Sequence, residues 1–343
     1  MVQEMEGTWR EVSKNLTNTT SQEDSDREQV ERIVAVIVPI FFGMIGILGL
    51  IGNFLVVIVV AANPGMRSTT NILIINLAVA DLLFVIFCIP FTATDFVLPF
   101  WPFGNFWCKM VQYLIIVTAF ASVYTLVLMS LDRYLAVVHP ITSITWRTEN
   151  YAIVAICIAW AMILAISAPA FFIHGEFQED SSNGTTCRIL PQYSWPTFQI
   201  SFFLVSYLLP LLLICFFYIC MLIRLWRGDR VSAESAERRR RVTTLVFVVV
   251  GVFAFCWCPI QVILVTKSLD MYPASSATIM VQITSHILAY MNSCVNPILY
   301  AFLSDSFRKA FRKIIYCRPR SDQDRQLGPL TRTTRAASAG DII

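Results

Sequence analysis

Charge is what this sequence has least of. Only 14% of its 343 residues are Asp, Glu, Lys or Arg, against roughly 25% in a soluble domain, which excludes an ordinary cytosolic globule. Glycine is sparse too, 13 residues beside 25 Phe, 8 Trp and 11 Tyr, and that excludes a disordered or collagen-like chain. There are three histidines, at 139, 174 and 286. They are too scattered for the His-Glu-x-x-His pair of a metalloprotease. Residues 277–303 contain no lysine, and Tyr290 stands at the relevant level, so a retinal Schiff base is excluded there. No internal repeat of the kind that builds transporters is visible.

What is present is a series of long apolar runs. Seven cover about residues 33–62, 70–97, 105–137, 151–173, 198–222, 242–266 and 277–303. Crossing a bilayer takes about 20 apolar residues, so each run is long enough for a transmembrane helix and too long for a buried strand. The pattern predicts an all-α membrane protein, a seven-transmembrane helix bundle over 33–303. Prolines at 90, 169, 210, 259 and 297 read as kinks, because neighbouring helices can satisfy the carbonyls they free.

Cations set the orientation. Arg224, Arg227, Arg230 and Arg238 to Arg241 crowd the connection between spans five and six, and Arg308, Lys309, Arg312 and Lys313 follow span seven. The alternate connections hold few cations and carry Asp95, Glu176, Glu179, Asp180 and Asp270. This places the amino terminus outside and the carboxyl terminus in the cytoplasm. Residues 1–32 are acidic and polar, without the apolar core of a signal peptide, and read as an extracellular tail. Sequons at Asn15, Asn18 and Asn183 fall on the outer face and are candidate glycosylation sites.

Of ten cysteines, seven lie within apolar spans and Cys317 is cytoplasmic. Cys108 and Cys187 remain on the oxidising side, so a disulfide between them follows by elimination. Residues 304–316 read as a short amphipathic helix on the cytoplasmic membrane surface, with Phe307, Phe311, Ile314 and Ile315 on one face. Cys317 beyond it is a candidate palmitoylation site, and 317–343 reads as a disordered cytoplasmic tail.

Ionisable groups inside a bilayer are functional candidates by default. Asp81 lies mid-span. A carboxylate there is protonated in a structural hydrogen-bond network, paired, or bound to a cation. Asn53, Ser122, Asn292, Ser293 and Asn296 are candidate oxygen partners, and oxygen-only ligands suit a hard cation such as sodium. Asp132-Arg133-Tyr134 ends span three at the cytoplasmic side. Alone, the tripeptide reads equally as an interfacial charge pair that anchors the helix.

These motifs have companions. Gly52-Asn53 lies in span one, Leu77-Ala-Val-Ala-Asp81 in span two and Trp160 in span four. Pro210 and Tyr218 lie in span five, Phe253-Ala-Phe-Cys-Trp257-Cys-Pro259 in span six and Asn296-Pro297-Ile-Leu-Tyr300 in span seven. Over residues 33–316 the chain resembles a rhodopsin-family G-protein-coupled receptor. The loop from Trp101 to Cys108 resembles those of peptide receptors. The stretch from Pro90 to Thr142 is most similar to insect allatostatin-A receptors, relatives of the galanin receptors.

The resemblance implies that Asp132 holds Arg133 at rest and that Arg133 turns toward Tyr218 and Tyr300 on activation. Pro259 supplies the kink of span six, with Trp257 and Phe253 transmitting ligand contact. Many relatives latch the arginine with an acidic residue in span six; here Arg239 stands at that position, so the latch is absent. Arg133, Ile141 and Arg239 are candidate G-protein contacts, Arg239 reading equally as a positive-inside anchor. Small-amine receptors carry an aspartate seven residues after the disulfide cysteine, where this chain has Ile115. Phe91, Asp95, Gln112, Ile116, Gln261, Leu264, Gln282, His286 and Tyr290 form the candidate pocket, suited to a neutral hydrogen-bonding peptide end. The implied partners are a peptide ending in Phe-Gly-Leu-amide, a heterotrimeric G protein of inhibitory type, arrestin and a receptor kinase through the tail, and the lipid bilayer. No nucleic acid, enzyme activity or cofactor is expected beyond an allosteric sodium ion, and the location is the plasma membrane. The rivals are a receptor for another galanin-like peptide and, in another class, a channel or transporter.

Overall fold

The computed structural model describes residues 2–66, 68–98, 100–178, 185–226, 233–273, 275–303 and 305–315. Helix α1 runs Val2–Ala61 and contains Pro39. A short 3-10 turn, Pro64–Met66, leads to α2, Thr69–Phe87, whose first turn is capped by the Ser68 hydroxyl accepting from the Asn71 amide. The chain continues through α3, Ile89–Val97; α4, Gly104–Val138; α5, Ser143–Trp146; and α6, Glu149–Ile173. Strands β1, His174–Gln178, and β2, Thr185–Ile189, pair antiparallel. Then come α7, Trp195–Phe203; a π-helical turn, Leu204–Leu208; α8, Leu209–Trp226; α9, Ala233–Ser268; α10, Ser276–Leu303; and α11, Asp305–Ile315.

Span two is thus α2 with α3, and span five is α7, the π turn and α8. Two prolines do more than kink. Pro90 has no N–H to continue the ladder, so span two breaks at Cys88 and restarts with the proline in the first turn of α3. Pro210 is the second residue of α8, just past the π turn, which accommodates the bond it cannot make. Pro169, Pro259 and Pro297 lie inside continuous helices, as expected. Residues 2–32, expected as a separate tail, continue the helix of span one. That stretch has one glycine, Gly7, and no proline to stop it.

Among the described residues, six helical stretches are long and apolar enough to cross a membrane. The seventh, α10, has the length but is diluted by Gln282, His286, Asn292 and Asn296. The two asparagines are buried inward, so its polarity belongs to the bundle interior. Large apolar side chains such as Ile47, Phe54, Ile158 and Phe255 point outward. In water this would be a broad sticky surface; against lipid tails it costs nothing. The core packs around α4, where Val123, Leu126 and Met129 meet Leu77, Val249 and Tyr300.

At one end the β-hairpin folds over the bundle. Cys187, opposite Glu176 in the register, forms a disulfide with Cys108 at the top of α4, Cα to Cα 5.5 Å. Thr185 and Trp101 exchange bonds, amide to carbonyl at 2.6 Å and hydroxyl to carbonyl at 3.2 Å. The Asn105 side chain accepts from the Glu176 amide at 3.1 Å. Gly175 is closely packed here, and an added Cβ would stand 3.0 Å from Leu190 and 3.2 Å from the Asn105 oxygen. His174, where α6 passes into β1, is buried against Phe198 with its Nδ1 2.8 Å from the Ala170 carbonyl. Burial holds its ring below the usual histidine range.

Candidate functional site

Three constellations lie along the bundle axis. In the middle, Asp81 is 1% exposed. Asn296 donates to its Oδ2 at 2.9 Å, and Ser293 and Ser122 are its other side-chain hydrogen-bond partners. All three are neutral. Asn53 donates to the carbonyls of Gly49 and Ser293 at 2.9 and 2.8 Å, which ties span one to span seven. The side-chain oxygens of Asn53, Asn292 and Asn296 are buried without a donor. An acceptor left so costs about 1–3 kcal/mol, so this centre favours a donor or a cation.

Toward the end away from the hairpin, Arg133 donates from Nε to Asp132 Oδ2 at 3.0 Å. A terminal nitrogen of the same guanidinium reaches both that oxygen and the Thr70 hydroxyl. Thr70 itself donates to Asp132 at 2.8 Å. The other carboxylate oxygen accepts from Arg147 Nε at 2.7 Å. Tyr134 stands apart, its ring 5.4 Å from Phe217. Neither tyrosine expected to receive Arg133 bonds it in this conformation. Tyr218 donates to the Thr243 carbonyl of span six at 3.3 Å, while Tyr300 is fully buried with a hydroxyl that has no partner. Phe253 and Trp257 are 6.1 Å apart, and the Trp257 N–H is also unpartnered. Ile141, 84% exposed, stands off the connection between spans three and four.

At the hairpin end the candidate pocket residues divide among several packing groups. His286 and Tyr290 share one with Leu264 and Phe96. Phe84 and Phe42 lie 4.8 and 5.1 Å from Tyr290. Gln282 offers its carbonyl to His286 at 3.0 Å and its side-chain oxygen to Lys267 at 3.3 Å. Gln261 donates across to Ser206, in the π turn, at 3.3 Å, and its own oxygen is buried without a donor. Gln112 lies 3.9 Å from the sulfur of Cys187. Asp95 is exposed. Phe91 stacks on Trp107 at 5.3 Å in a cluster with Trp101, Ile115 and Cys187. Ile116 packs with Phe120, Phe198 and Phe202 among spans three, four and five.

Residues 52–300 match the family model of the seven-transmembrane receptors of the rhodopsin family. The chain belongs to that family. It is similar to an allatostatin-A receptor of Bombyx mori, 58% identical over 340 residues, 96% of this chain and 94% of the relative. Galanin receptor type 1 of Homo sapiens is 40% identical over 302 residues, 85% of this chain and 84% of the relative. Galanin receptor type 2 of Rattus norvegicus is 40% identical over 308 residues, 88% and 81% of the two chains. A rhodopsin-family receptor is a multi-pass membrane protein that signals through G proteins and is not an enzyme.

The receptor also uses residues that the sequence alone did not single out. Thr70 and Arg147 complete the Asp132 cluster, and Phe96, Ser206 and Lys267 join the hairpin-end groups. Lys267 carried a signal, a cation closing the apolar run of span six; the others carried none. Asn183 and Cys317 lie outside the described residues, as do the side chains of Asn15, Asn18 and Arg239.

Proposed function

We propose that this chain is a plasma-membrane receptor for a C-terminally amidated neuropeptide of the allatostatin-A type, ending in Phe-Gly-Leu-amide. The observation that carries this reading is the 58% identity to the Bombyx mori allatostatin-A receptor along nearly the whole of both chains. Ile115, half-buried at the level where a small amine would need a counter-charge, argues against an ammonium ligand. His286 and Gln282, beside Tyr290, Leu264 and Phe96, and Gln261, across from Ser206, supply neutral donors and acceptors near apolar walls, which suits an amide end.

In this reading the hairpin end faces outward with the amino terminus, and the Asp132–Arg133 end faces the cytoplasm. Ligand contact at Trp257 and Phe253 displaces span six about Pro259. That breaks the bond from Tyr218 to Thr243 and frees Arg133 to meet Tyr218 and Tyr300. A heterotrimeric G protein of inhibitory type then docks beside Arg133 and Ile141 and exchanges its nucleotide. Arrestin and a receptor kinase act through the tail. Asp81, Asn53, Ser122, Asn292, Ser293 and Asn296 fit a sodium ion, because every donor is oxygen and three of the oxygens lack partners. When bound, the ion supplies the positive charge that Asp81's neutral partners do not.

The test compares the amidated peptide with its free acid in competition binding. A site built for a neutral end rejects the added carboxylate by about tenfold or more, roughly 1.4 kcal/mol. Equal affinity of the two forms, or potent activation by a biogenic amine, overturns the assignment.

A further inference from the structure

Asp132 has two oxygens and two arginines, and the division between them is unequal. Oδ2 accepts from Arg133 Nε at 3.0 Å and from Thr70 at 2.8 Å, while Oδ1 accepts from Arg147 Nε at 2.7 Å. The carboxylate side chain is 3% exposed, and the Arg147 side chain 27%. Arg147 closes α5, its amide donating to the Ser143 carbonyl at 2.8 Å, and the Ser143 amide donates to His139 at 2.9 Å. Ser143 is itself buried. Arg147 is therefore fixed to the end of α4 and the start of α6, the same body that carries Asp132.

We infer that Arg147 is the positioning residue for Arg133's release: the counter-charge that stays with Asp132 when Arg133 leaves. The inference rests on the proposed reading that Arg133 quits Asp132 on activation. A buried carboxylate that loses its only cation resists that loss strongly, because removing one partner leaves an uncompensated charge. With Arg147 in place, the departure of Arg133 leaves Asp132 a charged donor on Oδ1 and a neutral one, Thr70, on Oδ2. Without Arg147 only Thr70 remains, and the carboxylate holds Arg133 back. Arg147 thus favours the signalling state. A latch that merely tied the loop down at rest would have the opposite sign.

The experiment measures nucleotide exchange on a purified heterotrimeric G protein by the full-length receptor, without peptide and with saturating Phe-Gly-Leu-amide peptide, at matched surface expression. Arg147→Ala is expected to lower exchange by about tenfold and Arg147→Lys by far less. In the Asp132→Asn background, where no carboxylate needs a partner, Arg147→Ala should change exchange by less than about twofold. Exchange in Arg147→Ala equal to or above the unsubstituted receptor overturns the inference. So does a loss that persists in the Asp132→Asn background, which marks a role in folding alone. Arg133→Ala runs beside them. Full coupling there defeats the proposed switch and this inference together, whereas lost coupling there with normal Arg147→Ala defeats the inference only. The peptide-free arm carries the same comparison should the peptide prove not to be the ligand.

Discussion

Asp81 rests on Asn296, Ser293 and Ser122, three neutral partners in a buried centre. A carboxylate so placed gains most from a cation, and the same residues that would hold the ion also join span two to span seven through the Asn296 bond. On the proposed reading, an ion bound there would favour this packing over one that parts Asn296 from Asp81. Since effects between two sites are reciprocal, an ion that favours the resting packing must weaken an agonist that favours the signalling one. Raising sodium is therefore expected to lower agonist affinity by up to about tenfold, roughly 1.4 kcal/mol. Asp81→Asn, which keeps the shape and removes the charge, should abolish that dependence. A competition curve that still shifts with sodium in Asp81→Asn would end the assignment. The same logic separates Asp81 from Asp132, whose carboxylate already has two guanidinium partners and needs no ion.

The elements meet at points where single atoms decide the fit. Gly52 of α1 faces Pro297 of α10, and a Cβ there would stand 3.0 Å from two carbons of the proline ring. The ring is part of the backbone and cannot step aside as a flexible side chain would. Gly52→Val should cost at least the 1–3 kcal/mol typical of overpacking, read as a lower melting temperature of the purified receptor. Gly43→Ala on the same helix, with nothing within 4 Å of the added carbon, is the control and should not lower it. Gly52 was legible in the sequence as part of Gly52-Asn53, and so were the seven spans, because a bilayer demands length and hydrophobicity of each. The disulfide followed from counting cysteines by compartment. What was not legible depends on contacts far apart in the chain. The break at Cys88 and the π turn before Pro210 both come from prolines whose freed carbonyls find different solutions. The hairpin lies in a loop too polar and short to show its register. Arg147, fifteen residues past Asp132, looks like any cation of a cytoplasmic connection until α5 folds it back. Phe91 packs with Trp107 and Phe103, contacts between residues of α3, the following loop and α4 that the sequence did not announce.

Across the whole molecule, the ends do different work and are joined by buried polar atoms without partners. Gln261 near the hairpin end, Trp257 below it, Asn292 and Asn296 in the middle and Tyr300 beyond each keep one such atom. A packing change that gave some of these atoms a protein partner would gain about 1–3 kcal/mol for each one otherwise unmet, a scale that a ligand's binding energy can reach. On the proposed reading, two such packings would let a contact at one end be felt at the other. Arg133 lies eighteen residues along α4 from Ile115, about 27 Å at 1.5 Å per residue. A side chain that distant touches no ligand, and its removal acts only on the step that follows binding. Arg133→Ala should therefore leave peptide affinity, measured without G protein, within about threefold, or roughly 0.6 kcal/mol, while nucleotide exchange falls at least about tenfold. The separation of the two readouts is the decisive feature. Loss of both together would mean that Arg133 is needed to hold the bundle, through Thr70 and Asp132. Full exchange in the mutant would mean that the charge pair only anchors α4, and that the G protein recognises Ile141 and its neighbours without it.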